Sequence, residues 1–305
     1  MMLRQKIFHP CFVILILTAI ITPGGRKAAP AAERPLRVAL AGLIGDAARA
    51  FESPLKEALA RDSRVLMIEP AQLQTALAGI GHDGSINMSK DEARRVGAAI
   101  GCDFFIVGKA EVFTRSEREK EEHEEAFVGV MIVDGRGGGL AAFDFVNERA
   151  STKQGACAAA IKSLGGRVAG YVERMNLFRA GRERAPESNG SELEKIEEMP
   201  DAEQAPTAGF KAPEFLTRVK PEYTKEASLA NITATVEATA VFRADGEVSE
   251  IEITRWAGFG LDEAAERAIR QLKFKPATRD GQAVSVRAGV RYNFRRASSP
   301  GINQD

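Results

Sequence analysis

From Leu36 onward the chain alternates between two hydrophobic periods. Leu36, Val38 and Leu40 fall on one side of an extended stretch, and Ala47, Ala50, Phe51, Leu55, Ala58 and Leu59 then recur at helical spacing before a second short strand, Arg64 to Ile68. A helix-like stretch follows at Ala71 to Ala78, and Gly79, Gly81 and Gly84 break it. Ser89-Lys90-Asp91-Glu92 has the spacing of a capping box, which predicts a helix running to about Ile100. Three β-rich runs come next, Phe104 to Val112, Phe127 to Val133 and Leu140 to Val146, with Asp134 to Gly139 as the turn between the last two. Ala158, Ile161, Leu164, Val168 and Val172 stripe a long closing helix. The pattern predicts an α/β domain over 35–177.

The period then fades. Between Glu183 and Glu203 acidic residues crowd together with only Arg184 and Lys195 against them, so 178–212 reads as a solvated acidic linker. As a flexible coil it would span about 30–35 Å on average. A second ordered pattern begins beyond it. Ile232, Ala234, Val236, Ala238, Ala240 and Phe242 alternate with polar residues, as in a half-buried strand. Asp245-Gly246 turns the chain, and a change of parity between Val248 and Ile251 predicts a β-bulge. Gly258 and Gly260 precede a helical stripe from Leu261 to Leu272, opened by Asp262 and Glu263 where the helix dipole favours acids. Val284, Val286, Ala288, Val290, Tyr292 and Phe294 alternate along the last strand. The fold class is therefore α+β: an N-terminal α/β domain joined by the linker to a small β-β-α-β domain over 213–296, with 297–305 as a tail.

Residues 1–32 read as a targeting segment. Arg4 and Lys6 precede the apolar run Cys11 to Ile21, which is nearer the length of a signal-peptide core than the roughly 20 residues a spanning helix needs. Cleavage near Ala28 to Ala32 is one outcome, and retention as an N-terminal anchor is the other. Either way the chain is expected in the periplasm, in the second case held at the inner membrane.

Composition removes several functions. Lys plus Arg and Asp plus Glu are 42 each, so no net field draws the chain to nucleic acid. Past the targeting segment the only histidines are His82 and His123, neither at metal-ligand spacing from another histidine or cysteine. Gly135 to Gly139 leads into a strand, whereas a phosphate cradle opens a helix. Arg115 to Glu125 reads as a charged hairpin tip, with a basic partner or cations as the alternative ligand. Cys102 and Cys157 read as small buried side chains, with a disulfide as the alternative. No nucleophile stands with a base, so neither catalysis, cofactor nor metal is expected.

The second domain resembles the TonB C-terminal family. The resemblance rests on Val219-Lys220-Pro221-Glu222-Tyr223, Asp245-Gly246-Glu247-Val248, Gly260-Leu261-Asp262 with Ala264-Ala265, Phe274-Lys275-Pro276-Ala277, and Gly281-Gln282-Ala283-Val284 with the Phe294 ending. Thr224 departs from it, since the family often has proline after the tyrosine. The resemblance implies a last strand that adds an extended segment of an outer-membrane TonB-dependent receptor to its edge, through Val284, Val286, Arg287, Ala288, Val290, Arg291 and Tyr292. Arg287 and Arg291 are equally readable as charges that guard a bare edge from aggregation. The first domain is similar in element order to envelope-assembly α/β modules, such as the periplasmic domain of the curli secretion channel and lipoprotein activators of penicillin-binding proteins, which implies a second envelope partner. The expected role is TonB-like receptor engagement with a link to transmembrane transport, the alternative being an envelope scaffold without energy coupling.

Overall fold

The structure is a computed structural model that describes residues 34–115, 122–184, 196–200, 209–217 and 219–296. The targeting segment and the tail lie outside the described residues. Among those described, no helix is long and apolar enough to cross a membrane.

The first half builds β1 (Leu36–Ile44), α1 (Ala48–Ala60), β2 (Val65–Met67), α2 (Pro70–Gly79), α3 (Lys90–Ile100), β3 (Phe104–Arg115), β4 (His123–Asp134), β5 (Leu140–Ala150) and α4 (Lys153–Arg184). Its sheet runs β2-β1-β3-β4-β5, with β2 and β3 parallel to β1 and the last three strands antiparallel. Period-two alternation sorts the side chains onto two buried faces. Phe104, Ile106, Val128, Val130 and Ile132 meet α1 and α4. Phe105, Val107, Phe127, Met131 and Val133 point to the opposite face.

The capping box forms as expected: Ser89 Oγ accepts from the Glu92 N–H at 3.2 Å and the Glu92 carboxylate accepts from the Ser89 N–H at 2.7 Å. The hairpin turn after β4 is also present, with the Asp134 carboxylate accepting the Gly137 N–H at 2.8 Å and Gly138 at φ +74°. Cys102 and Cys157 are free thiols. His123 neighbours a carboxylate, its ring 3.3 Å from Glu125, which Arg115 and Arg149 also hold.

Beyond α4 come β6 (Ile196–Glu198), β7 (Phe210–Lys211), β8 (Glu214–Phe215), α5 (Lys225–Leu229), β9 (Ala234–Phe242), β10 (Val248–Arg255), α6 (Leu261–Arg270), β11 (Phe274–Lys275), β12 (Ala277–Arg279) and β13 (Gln282–Phe294). The main sheet here runs β10-β9-β13-β12-β7, and β8 pairs separately with β11. The bulge lies where parity shifts: register slips between Ser249 and Glu252, and Glu250 takes φ +46°. Thr224, in place of proline, caps α5 by accepting the Ala227 N–H at 3.2 Å and donates its hydroxyl to the Phe259 carbonyl.

Two features differ from the pattern along the chain. Parts of 178–212, read there as a solvated tether, are built into the fold. Helix α4 continues to Arg184 because Phe178 packs edge-on against Phe104 at 6.2 Å and Arg182 reaches the buried Asp134. Strands β6 and β7 then join the second sheet. The second difference is that the two modules share one core. Ala227, Ile232, Val236, Trp256, Phe259 and Leu261 cluster with Phe105, Phe127, Met131 and Val133 of the first sheet. From Pro35 onward the chain is one compact unit.

The joint is centred on Arg255 to Phe259. The buried Trp256 ring donates its N–H to the Gly138 carbonyl at 3.0 Å. Phe259 sits 4.9 Å from Phe143 and 6.4 Å from Phe145, centroid to centroid. Asn87 clamps the seam, donating to the Thr235 and Trp256 carbonyls at 2.9 and 2.7 Å and accepting the Thr235 N–H at 2.9 Å. The one amide supplies donor and acceptor together.

Candidate docking edge

The seven residues singled out on the last strand all lie on β13, but their surroundings differ. Val284 is paired with Ala277 of β12. Val286 is fully buried against Phe242, and β6 runs along its other side. Arg287 makes ion pairs with Glu250 at 2.7 Å and Glu198 at 3.5 Å. Ala288 is buried in the small core of the second sheet. Val290 and Tyr292 are half-buried, and Arg291 lies across β9 against Glu237 at 2.6 Å. The expectation of one continuous free edge from Val284 is therefore corrected: β12 and β6 flank the strand as far as Arg287, and only the stretch after it has β9 as its sole neighbour among the described residues.

Which main-chain groups face outward follows from one bond. The Arg287 carbonyl accepts the Met199 N–H at 3.2 Å, so it points away from β9. Alternation along the strand turns the N–H and C=O of Gly289, Arg291 and Asn293 the same way, while Val286, Ala288, Val290 and Tyr292 exchange their bonds with β9. Among the described residues, its chain neighbours aside, no atom lies within 4 Å of where a β-carbon on Gly289 would stand.

Beside this open stretch is a groove of about 540 Å³ lined by Phe215, Thr217, Val219, Leu272, Gly289, Val290, Arg291 and Tyr292. Its apolar wall is held from behind: Phe215 packs edge-on against Phe242 at 5.2 Å and Phe242 against Phe274 at 5.1 Å. Phe215 is nonetheless 47% exposed and Leu216 is 56% exposed. Partial burial pushes the Tyr292 phenol above its ordinary range, which keeps it neutral. An open ladder of donors and acceptors beside an apolar groove is what strand addition requires, the ladder binding main chain and the groove selecting side chains.

The sequence pattern located β13 but missed Phe215, Leu216 and Leu272, because a groove between separate strands leaves no period. It also missed Trp256 and Asn87, which hold the edge-bearing layer on the first module. The adjacent apolar pair Phe215-Leu216 was the one readable signal.

Residues 219–295 match the family model described as Gram-negative bacterial TonB protein C-terminal. The chain thus carries a TonB-type C-terminal domain, and with it a cell-envelope setting and a protein-binding role. No curated protein matches the chain. Among solved structures it is similar to a hypothetical protein from Chlamydia trachomatis, at 14% identity over 46% of this chain and 98% of that one, TM-score 0.32. It is also similar to the LpoB C-terminal domain from Salmonella enterica, at 11% identity over 39% and 86%, TM-score 0.29. A third likeness is to the TonB C-terminal domain of Pseudomonas aeruginosa, at 19% identity over 29% and 91%, TM-score 0.26.

Proposed function

We propose that this protein is a non-catalytic periplasmic binding protein that captures an extended segment of an outer-membrane receptor by adding it to β13 between Gly289 and Asn293. The carrying observation is the outward ladder of that stretch beside the Phe215–Leu272–Tyr292 groove. The family match at 219–295 favours a receptor of the TonB-dependent kind and a link to transmembrane transport. The shared core between the modules favours the scaffold form of this reading. Trp256 and Phe259 fix the binding layer on the first module, whereas a protein that pulls on distant receptors needs slack between anchor and binding domain. The first module then offers its own surface to a second envelope protein.

Arg291 supplies the test. Its N–H faces outward, so Arg291→Pro removes one donor of the added ladder and leaves the bonds to β9 in place. With the periplasm-facing N-terminal peptide of an outer-membrane receptor as probe, Arg291→Pro is expected to weaken binding about tenfold or more, and Arg291→Ala to leave it near wild type. A folded Arg291→Pro protein that binds undiminished would sink the strand-addition reading.

A further inference from the structure

Strand β6 belongs to the acidic stretch between the modules, yet it lies on β13 as a bound segment would. It runs parallel to β13, Ile196 opposite Ser285, Glu197 opposite Val286 and Glu198 opposite Arg287. The Met199 N–H completes the contact on the Arg287 carbonyl. The side chains add two charged anchors. Arg279 places Nε at 2.8 Å and a terminal guanidinium nitrogen at 2.7 Å from one Glu197 oxygen, and the Glu197 side chain is only 12% exposed. Glu198 is the weaker anchor, 3.5 Å from Arg287 and 80% exposed. Three residues of ladder hold little alone, so the half-buried Glu197–Arg279 pair decides whether β6 stays seated.

The register of β6 relates it to the groove. Paired residues on neighbouring strands share a face, so Glu197 lies on the face of Val286, as do Val290 and Tyr292. In the same parallel register the position opposite Val290 is four residues after Glu197. An occupant with an apolar side chain there would fill the groove of Phe215, Leu272 and Tyr292, whereas β6 ends at Glu198, short of that position. Strand β6 thus occupies the charged half of the edge and stops before its apolar half.

We propose that β6 is a built-in occupant that keeps the first part of the docking edge closed, and that it yields to a partner segment carrying an acidic residue followed four positions later by an apolar one. Such a segment places its carboxylate on Arg279 and its apolar side chain in the groove, gaining a contact that β6, which ends at Glu198, does not make. This inference rests on the strand-addition reading above and adds to it a competitor, an orientation and a spacing rule.

The test uses the whole chain and two variants, Glu197→Gln and the swap Glu197→Arg with Arg279→Glu. The probe is an extended ten-residue peptide with glutamate and, four positions on, leucine; its control has aspartate in place of the leucine. Glu197→Gln is expected to speed amide exchange at Met199 and to tighten the leucine peptide about tenfold, the gain when a site free about a tenth of the time becomes fully available. The swap is expected to restore slow exchange at Met199 and to reject the glutamate peptide. Faster exchange at Met199 with unchanged peptide affinity would overturn the competition while leaving strand addition intact. Equal binding of the leucine and aspartate peptides would overturn the spacing rule. Peptide binding that Arg291→Pro leaves undiminished would instead remove the strand-addition reading itself.

Discussion

The ring of Phe259 lies directly over Gly129, so close that a β-carbon on that glycine would stand 2.7 Å from the ring edge. Gly129 is therefore present for space: β4 leaves a gap in its second face, and the loop before α6 fills it with an aromatic ring from the other module. A gap and a plug drawn from two modules put them in one core, and they are expected to unfold together.

Gly129→Ala is expected to destabilise the protein by about 1–3 kcal/mol through overpacking. Phe259→Ala is expected to cost about 3–5 kcal/mol through the cavity it leaves. Combined, the two should cost less than their sum, because the new methyl enters the space the ring vacates. Urea unfolding followed by the fluorescence of Trp256 and by far-ultraviolet circular dichroism checks both points. The two probes should report a single transition, and separate transitions would mean that the modules fold apart.

Asn87 gives a sharper test of the seam. Asn87→Ala strands the Thr235 N–H and two carbonyls, at an expected cost of about 1–3 kcal/mol. Asn87→Asp keeps the acceptor for Thr235 and removes both donors, placing a charge beside two carbonyl oxygens. It should be the worse substitution at neutral pH and recover as the pH is lowered, measured by thermal melting of the three proteins across pH.

Asp262 makes the stability of the joint depend on pH in the opposite sense from an ordinary paired carboxylate. Burial pushes its pKa up from 3.8 to about 7, outweighing the N–H groups of Ala257 and Gly258 that it accepts at 2.8 Å each; Glu263 pushes the same way. A raised folded-state pKa means that the folded form binds the proton more tightly than the unfolded form. The contribution is full below about pH 3.8 and is lost as pH rises through about 7. Relative to Asp262→Asn, the wild type should gain stability on going from pH 7 to pH 4. A difference that stays flat over that window would show that Asp262 titrates normally.

Much of the second module was legible because its strands are half-buried and its turns need particular residues. Ile232 to Phe242, the parity slip before Ile251 and the Gly258/Gly260 break each left a local mark. The first sheet was legible as strands, but its burial on both faces did not say what covers the second face. Nothing in the pattern singles out Phe259 and Trp256, since only the fold brings them to Gly129 and Gly138. The acidic stretch misled for a related reason. Glu197 and Glu198 look solvated in sequence, and their partners Arg279 and Arg287 are supplied from far along the chain. For the edge, the period marked β13, while β6 and β12, which decide how much of it is open, are too short to leave a period.

The most direct measurement is residue-resolved amide hydrogen exchange along β13, in the free protein and with a receptor-derived extended peptide. The account predicts that in the free protein Gly289, Arg291 and Asn293 exchange quickly while Ala288, Val290 and Tyr292 are protected by β9, and that the peptide slows the first three. Equal protection of all six amides before the peptide is added, or no change at Gly289, Arg291 and Asn293 once it has bound, would contradict it.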